Sequence, residues 1–155
     1  MPRFVLKWSA DLEGVARVSP SNDIRYYLKL KCNNCGEQLG NDWIYVTPLE
    51  TAQVTGSRGS ANLVVRCKFC KREHSLDIEG APSSLEKSGK MTNLVMFECR
   101  GLEPIEWDPR NGFDVQTESG TAFSDVNLSE DWCEFDEEAN ESVGIYNLKW
   151  TIDRQ

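Results

Sequence analysis

The sequence predicts an all-β protein, and two observations support this prediction. Five short segments are rich in β-branched and aromatic residues and are separated by turn residues, as β-strands are. No segment repeats its apolar residues every 3.6 positions between capping signals at both ends, as a helix does. The best helical candidate, residues 134–141, is short and acidic, so we expect a turn there.

The five predicted strands begin with residues 4–12, where apolar and polar side chains alternate. Residues 25–31 carry two adjacent tyrosines followed by alternating leucine and lysine, and residues 62–66 contain Leu-Val-Val. Residues 93–99 contain Leu-Val-Met-Phe, and residues 143–152 contain Ile-Tyr and Trp-Thr-Ile. Each run is typical of a strand because these side chains pack well on a pleated sheet.

We predict a single β domain, residues 1–155, built from two related halves. Residues 1–80 and 91–155 are separated by a predicted loop, residues 81–90, which is rich in Ser, Gly and Pro. Three landmarks recur in the same order at offsets of 85 to 90 residues, which indicates an internal duplication. They are Leu12-Glu13 with Leu102-Glu103, Asp42-Trp43 with Asp131-Trp132, and residues 57–63 with residues 142–148.

The net charge of −8 is divided unevenly between the two halves. Residues 1–80 carry 11 Lys/Arg and 9 Asp/Glu, a balance of +2, whereas residues 81–155 carry 6 and 16, a balance of −10. Nucleic acid is therefore not an expected partner, since most of the second half would repel phosphates.

The sequence does not lead us to expect a targeting signal for a membrane or for secretion. No apolar run approaches the roughly 20 residues of a membrane-spanning helix. The first residues lack the continuous apolar stretch of a secretory signal. We therefore expect a protein of the cytoplasm, with an additional location in the nucleus left open, and no membrane partner.

Four of the six cysteines form two Cys-x-x-Cys pairs, Cys32 with Cys35 and Cys67 with Cys70, separated by 31 residues. Two thiolates in one tight turn can bind one ion, and two such turns complete a tetrahedron around Zn²⁺. The spacing favours zinc over an iron–sulfur cluster. The alternatives are buried free cysteines or a redox pair. We predict one structural zinc ion, because four thiolates leave no open position for water or substrate.

The second half has no matching cysteines. Moved forward by about 89 residues, the first pair falls near residues 119–123; moved forward by 85, the second pair falls on Ile152 and Gln155. We therefore predict a zinc-bearing half, residues 1–80, and a metal-free acidic half, residues 91–155. Nearby basic residues are predicted to offset the charge of the thiolates by hydrogen bonding; they are Lys29, Lys31, Arg66, Lys68, Lys71 and Arg72.

No catalytic constellation is evident, so we predict that the protein is not an enzyme. His74, the one histidine, could replace a zinc ligand but is expected to be a strand residue, and no nucleophile motif adjoins it. Cys133 is surrounded by acids that disfavour its thiolate, and Cys99 is isolated. Nothing in the sequence brings Glu103 and Asp125 together, and the glycines of residues 56–60 form a turn without a phosphate-binding motif.

Residues 130–141 contain seven carboxylates and no Lys or Arg. The simpler interpretation of this acidic stretch is a solvated loop. The alternative is a docking site for a basic partner.

Six segments, spread over essentially the full length, are distinctive. They are Tyr26-Tyr-Leu-Lys-Leu-Lys-Cys-Asn-Asn-Cys-Gly36, Gly56-Ser-Arg-Gly-Ser-Ala61, Cys67-Lys-Phe-Cys70, Phe97-Glu-Cys-Arg-Gly-Leu-Glu-Pro104, Glu118-Ser-Gly-Thr-Ala-Phe-Ser-Asp-Val126 and Glu141-Ser-Val-Gly-Ile-Tyr146. In sequence and in order they resemble the eukaryotic CXXC-motif-containing zinc-binding protein family. The resemblance implies an all-β pseudobarrel, or folded sheet, of two related halves with zinc on the four cysteines. It implies no reaction.

The function predicted from these observations is that of a non-enzymatic, zinc-stabilised protein-interaction module, monomeric and with a protein partner that the sequence does not identify. Metal handling, the transfer of zinc or copper, is the alternative because thiolates suit soft ions. Nucleic-acid binding by a zinc ribbon is the least favoured of the three.

Overall fold

The computed structural model describes residues 2–155, which form fourteen β-strands and, within that range, no helix. No helix that could cross a bilayer is therefore found among these residues. The strands are β1 (Arg3–Glu13), β2 (Val15–Pro20), β3 (Tyr26–Cys32), β4 (Ile44–Val46), β5 (Ala52–Gln53), β6 (Ser60–Ala61), β7 (Leu63–Arg66), β8 (Glu73–Glu79), β9 (Thr92–Arg100), β10 (Leu102–Asp108), β11 (Phe113–Thr117), β12 (Ala122–Val126), β13 (Trp132–Asp136) and β14 (Glu141–Arg154).

The all-β prediction is confirmed, and each of the five predicted segments coincides with a strand: β1, β3, β7, β9 and β14. The acidic stretch is not the solvated loop of the simpler interpretation. It contains β13, a tight turn in which Asn140 has a φ of 54°, and the start of β14. The acidic residues therefore lie largely on a β-hairpin, where paired backbone fixes their positions.

The strands form one six-stranded sheet and two three-stranded sheets, together with the small β5–β6 hairpin. The large sheet has the order β13-β14-β1-β9-β8-β7, and the smaller sheets have the orders β10-β3-β4 and β12-β11-β2. In the middle of the large sheet β1 and β9 pair antiparallel, with Phe4 opposite Phe97. This pairing joins the first half of the chain to the second.

The topology confirms two related halves. The strands β1, β2, β3, β4, β7 and β8 have the same order and partners as β9, β10, β11, β12, β13 and β14. Each half also completes the sheets of the other, because β14 pairs with β1, β8 with β9, β10 with β3, and β2 with β11. The β5–β6 hairpin is an addition to the first half.

The landmarks used to infer the duplication are wrong in detail. The equivalent turns are at Gly14 and Gly101, which are 87 residues apart, and each glycine carbonyl accepts a 2.9 Å hydrogen bond, from the N–H of Glu118 and of Asn33 respectively. Leu12-Glu13 is thus three residues out of register with its supposed copy. Trp43 directly precedes β4, whereas Trp132 opens β13, the counterpart of β7. Residues 57–63 lie around β6, and residues 142–148 lie in β14.

The hydrophobic core lies between the three larger sheets. Trp8 of β1, Trp107 of β10 and Phe113 of β11 come from three different sheets, and their ring centroids are 5.6–6.4 Å apart. The connecting segment 81–90 also contributes, because Leu85 is fully buried and forms a β-bridge with Val18. Packing across all three sheets ties both halves to one core.

Gly14 provides a test of the turn that the two halves share. It has a φ of +67°, and an added Cβ would lie 2.7 Å from Val143 Cγ1. We expect Gly14→Ala to lower the free energy of unfolding by about 2–4 kcal/mol, combining left-handed strain with overpacking. Gly56→Ala is the matched control, since φ is +75° but nothing lies within 4 Å of the added Cβ; it should cost only about 1 kcal/mol. Equal losses in urea denaturation would contradict the proposed contact with Val143.

Candidate metal centre

The four predicted metal ligands come together at the ends of β3 and β7. Their Sγ atoms all lie within 4.8 Å of one another; the residues are Cys32, Cys35, Cys67 and Cys70. The Sγ atoms of Cys32 and Cys70 are 3.7 Å apart, and those of Cys35 and Cys67 are 3.6 Å apart. A zinc tetrahedron with Zn–S bonds of about 2.3 Å has edges of about 3.8 Å, so the cluster can hold one zinc ion.

The two cysteine pairs occupy similar turns. In the first, the N–H of Gly36 donates to the Cys32 carbonyl at 2.8 Å, and Gly36 has a φ of 81°. In the second, the N–H of Lys71 donates to the Cys67 carbonyl at 3.0 Å, and Lys71 has a φ of 65°. Glycine adopts this left-handed conformation without steric cost. The second turn holds a lysine there.

Backbone N–H groups supply the polar contacts of the outer sulfurs. The N–H groups of Glu37 and Arg72 donate to the sulfurs of Cys35 and Cys70, respectively. The Arg72 N–H, followed by the Asn34 side chain, lowers the pKa of Cys70 to about 6. At Cys35 the Glu37 N–H lowers the pKa, but desolvation and the neighbouring thiols outweigh it and raise the pKa to about 12. Such a cluster can carry several thiolates only if a cation neutralises their repulsion.

His74 contacts the cluster but does not belong to the set of four. It is a strand residue, as expected, on β8, and its Nε2 lies 3.0 Å from Cys32 Sγ. Burial, and then the charge of Arg72, lower the pKa of His74, so the imidazole is neutral at pH 7. With its hydrogen on Nε2, it donates to the Cys32 thiolate. A Cβ added to Gly101 would collide with the His74 ring, so glycine is required behind the imidazole.

The prediction that basic side chains hydrogen-bond the thiolates is wrong for four of the six residues, Lys29, Lys31, Arg66 and Lys68. Lys29 pairs with Glu106 at 3.3 Å, Lys31 pairs with Glu103 at 3.0 Å, and Lys68 donates to Asn41. Arg66 donates to the Lys71 carbonyl at 2.6 Å and also lies 3.8 Å from a Glu73 carboxylate oxygen. None of these contacts reaches a cysteine sulfur. Lys29 and Lys31 pair with carboxylates of the neighbouring strand β10, whereas Lys68 contacts a loop amide. Sequence reasoning missed His74 as the buried donor.

In the second half the same place is occupied by hydroxyls and one carboxylate. Thr117 ends β11 as Cys32 ends β3, and Asp136 ends β13 just as Cys67 follows β7. The counterpart of Cys67 is therefore Asp136, not Ile152 as the sequence offset suggests. Ser119 Oγ and Thr121 Oγ1 each donate to the fully buried Asp136 carboxylate at 2.6 Å.

The Asp136 carboxylate is held in its charged form by these donors. The Ser119 hydroxyl, followed by that of Thr121, sets the pKa of Asp136 far below its usual value, and the N–H of Glu138 donates at 3.1 Å. Hydrogen bonds to a charged carboxylate favour that form even when the group is buried. The two halves therefore fasten the same pair of turns by different means.

The remaining candidate residues are dispersed. Cys99 is buried, which raises the pKa of its thiol to about 12, and Cys133 is exposed on β13. Glu103 pairs with Lys31, whereas Asp125 accepts a hydrogen bond from Asn111, so the two carboxylates have separate partners. The glycines of residues 56–60 lie in the turn between β5 and β6.

Solved structures share the fold over nearly the full length. The structure titled "Crystal Structure of C1orf123" matches with a TM-score of 0.92 and 41% identity, covering 99% of each chain. A hypothetical protein from Plasmodium falciparum matches with a TM-score of 0.91 and 27% identity, covering 99% of this chain and 100% of the other. The strand arrangement described above is therefore an established fold.

Sequence comparisons agree with the structural ones. The proteins named CXXC motif containing zinc binding protein from Xenopus laevis and Homo sapiens are 46% and 44% identical, with 96% of each chain covered. UPF0587 protein CG4646 of Drosophila melanogaster is 46% identical, covering 96% of this chain and 94% of its own. The family model described as CXXC motif containing zinc binding protein, eukaryotic, matches residues 5–153. The chain therefore belongs to the eukaryotic family of CXXC-motif-containing zinc-binding proteins.

Proposed function

We propose that this chain is a non-enzymatic protein-interaction module of the cytoplasm, stabilised by one structural zinc ion on Cys32, Cys35, Cys67 and Cys70. The observation that supports the structural role is the Asp136 cluster of the second half. Hydrogen bonds fasten the equivalent turns there, which indicates that the position requires a fastening and not a reaction. A zinc ion bound to the four cysteines of the first half would join the equivalent turns in the same way.

The chemistry of the site agrees with this proposal. Four thiolates complete the coordination of zinc and leave no position for a substrate. Cys32 and Cys67 are buried, so two of the four sulfurs lie away from water. The one histidine of the chain already contacts Cys32, which leaves no imidazole to act as a base for a separate nucleophile.

Metal transfer is a second candidate, favoured by the exposure of Cys35 and the partial exposure of Cys70. An exposed thiolate can leave the ion and be replaced by a ligand from another protein. Competition with a chromophoric chelator separates the two functions. A structural site releases zinc slowly, while a carrier site releases it quickly without loss of the native circular-dichroism spectrum.

Removing the metal should unfold or strongly destabilise the protein, because zinc binding contributes to the folding free energy. We expect a strong chelator, or the Cys67→Ser substitution, to lower Tm by about 10 °C or more, which corresponds to roughly 3–5 kcal/mol for a chain of this size. Cys133→Ser is the control, since Cys133 is exposed and outside the cluster. Elemental analysis should find one zinc ion per chain. The same Tm with and without zinc would contradict the proposal.

His74→Ala should weaken zinc binding, because the buried Cys32 thiolate loses its N–H donor. We expect an affinity about 10–100-fold lower, measured by chelator competition, as is typical for residues that support a metal ligand. His74→Gln, which keeps an N–H near the same place, should recover part of the loss. If the alanine variant binds zinc as tightly as the unmodified protein, His74 only fills space.

Asp136 should contribute stability that depends on pH. Its folded pKa lies below that of the unfolded chain, so its contribution is present above about pH 4 and is lost as the pH falls through the lower, folded value. Asp136→Asn should therefore lower Tm by several degrees at pH 7 and reduce the acid dependence of Tm below pH 4. Exposed Asp114→Asn serves as the control. Parallel Tm curves for Asp136→Asn and the unmodified protein would contradict this role.

A further inference from the structure

One edge of the six-stranded sheet is formed by β13, which within residues 2–155 pairs with β14 and with no other strand. The side chains of Cys133 and Phe135 share one face of β13 and are exposed. On the other face, Trp132 packs against Phe123 and Asp136 is buried. Phe135 is 52% exposed, although phenylalanine is usually buried. An edge strand with an exposed apolar side chain is a template for pairing with another chain.

The equivalent edge in the first half is protected. The strand β7 carries Arg66 where β13 carries Phe135, and Arg66 is held by the Lys71 carbonyl and by Glu73. The β5–β6 hairpin lies beside β7 and β8. The second half lacks such a hairpin, because residues 127–131 join β12 directly to β13. Basic residues and covering segments are usual means of protecting an edge, and in the described part of the chain β13 has neither.

The chain segment that contains β13 carries charge of one sign. Residues 111–148 contain ten carboxylates and no Lys, Arg or His; they are Asp114, Glu118, Asp125, Glu130, Asp131, Glu134, Asp136, Glu137, Glu138 and Glu141. Within residues 2–155, none of these carboxylates takes part in an ion pair. Asp136 is buried and stabilised by its own hydrogen-bond donors, but the other nine carboxylates are exposed, so a positively charged partner would be attracted to them.

We propose that β13 binds an extended, lysine- or arginine-rich segment of a partner protein by strand addition, with Phe135 as the apolar anchor. The backbone of the segment would continue the sheet beyond β13, and alternate basic side chains would face the carboxylates of Glu134 and its neighbours. This proposal rests on the proposed protein-interaction function and assigns it a surface and a partner chemistry.

Other occupants fit this edge less well. A second copy of the chain would place two such edges side by side, bringing like charges directly opposite each other. Nucleic acid and anionic membranes carry the same sign of charge as the edge and would be repelled. A basic peptide can pair with the free backbone groups of β13, contact the Phe135 ring and neutralise the carboxylates at the same time.

The test uses the full-length, zinc-loaded protein and a fluorescein-labelled peptide of roughly eight residues, a usual strand length, alternating lysine with valine and threonine. Binding is measured by fluorescence anisotropy at about 50 mM and about 500 mM salt. Hydrogen exchange of the backbone amides is measured on the same complex. We expect saturable binding that weakens with salt and new protection confined to β13. A peptide with glutamate in place of lysine, and one with a central proline, should not bind.

Two variants test the anchor and the charge separately. Phe135→Thr keeps strand propensity but removes the ring, and it should weaken binding about tenfold or more. Glu134→Gln/Glu137→Gln/Glu138→Gln should weaken binding at low salt and have little effect at high salt. Leu49→Thr is the matched control, because Leu49 is also exposed, at 68%, but lies between β4 and β5, outside the metal centre; its binding should be unchanged.

The outcomes separate this inference from the proposed function. Unchanged binding to Phe135→Thr, binding of the proline peptide, absence of β13 protection, or concentration-dependent self-association through β13 would each overturn strand addition by a basic peptide. Affinity capture from lysate with the unmodified and Phe135→Thr proteins gives the second comparison. If both retain the same proteins, only the β13 assignment fails; if neither retains any protein, the interaction function fails as well.

Discussion

The strands β1 and β9 pair antiparallel in the middle of the large sheet, and this pairing places every other strand. Because β14 then lies beside β1 and β8 beside β9, each half donates its last strand to the sheet of the other. The same exchange occurs between β2 and β11 and between β10 and β3. Neither half could keep its sheets without the other, so a disturbance at the central pair would reach both smaller sheets.

Because the fold is duplicated, the same pair of turns has to be held together twice. In the first half these turns follow β3 and β7, and in the second half they follow β11 and β13. In the second half the buried Asp136 collects hydroxyl donors, and the charge is stabilised by short hydrogen bonds. In the first half four sulfurs meet, and their mutual repulsion calls for a cation. A metal can join turns that lack matched donors and acceptors, because its bonds are strong and its tetrahedral geometry is simple.

Sequence reasoning identifies the features that are local. The paired cysteines and the five apolar strands are recognisable because their signals lie within a few residues. The strands that escape it have weaker signals: β10 contains Pro104 on a sheet edge, where proline is tolerated, and β13 is acidic. The contact of His74 with Cys32 depends on how β8 meets β3 in space. The register of the repeat is not apparent from the sequence because the β5–β6 hairpin is an insertion in the first half. Before the hairpin, equivalent residues are 85–87 positions apart, as Cys32 and Thr117 are; after it, they are 69 positions apart, as Cys67 and Asp136 are.

The differences between the halves carry more functional information than their likeness. Where the first half has Arg66 and a covering hairpin, the second has Phe135 and an open edge. An unprotected edge is a liability for a protein whose stability does not require it, since it invites aggregation. The nine exposed carboxylates of residues 111–148 would reduce that risk by repelling identical chains. The same charges would attract a cationic segment, so one arrangement would both oppose self-association and favour the basic partner proposed for β13.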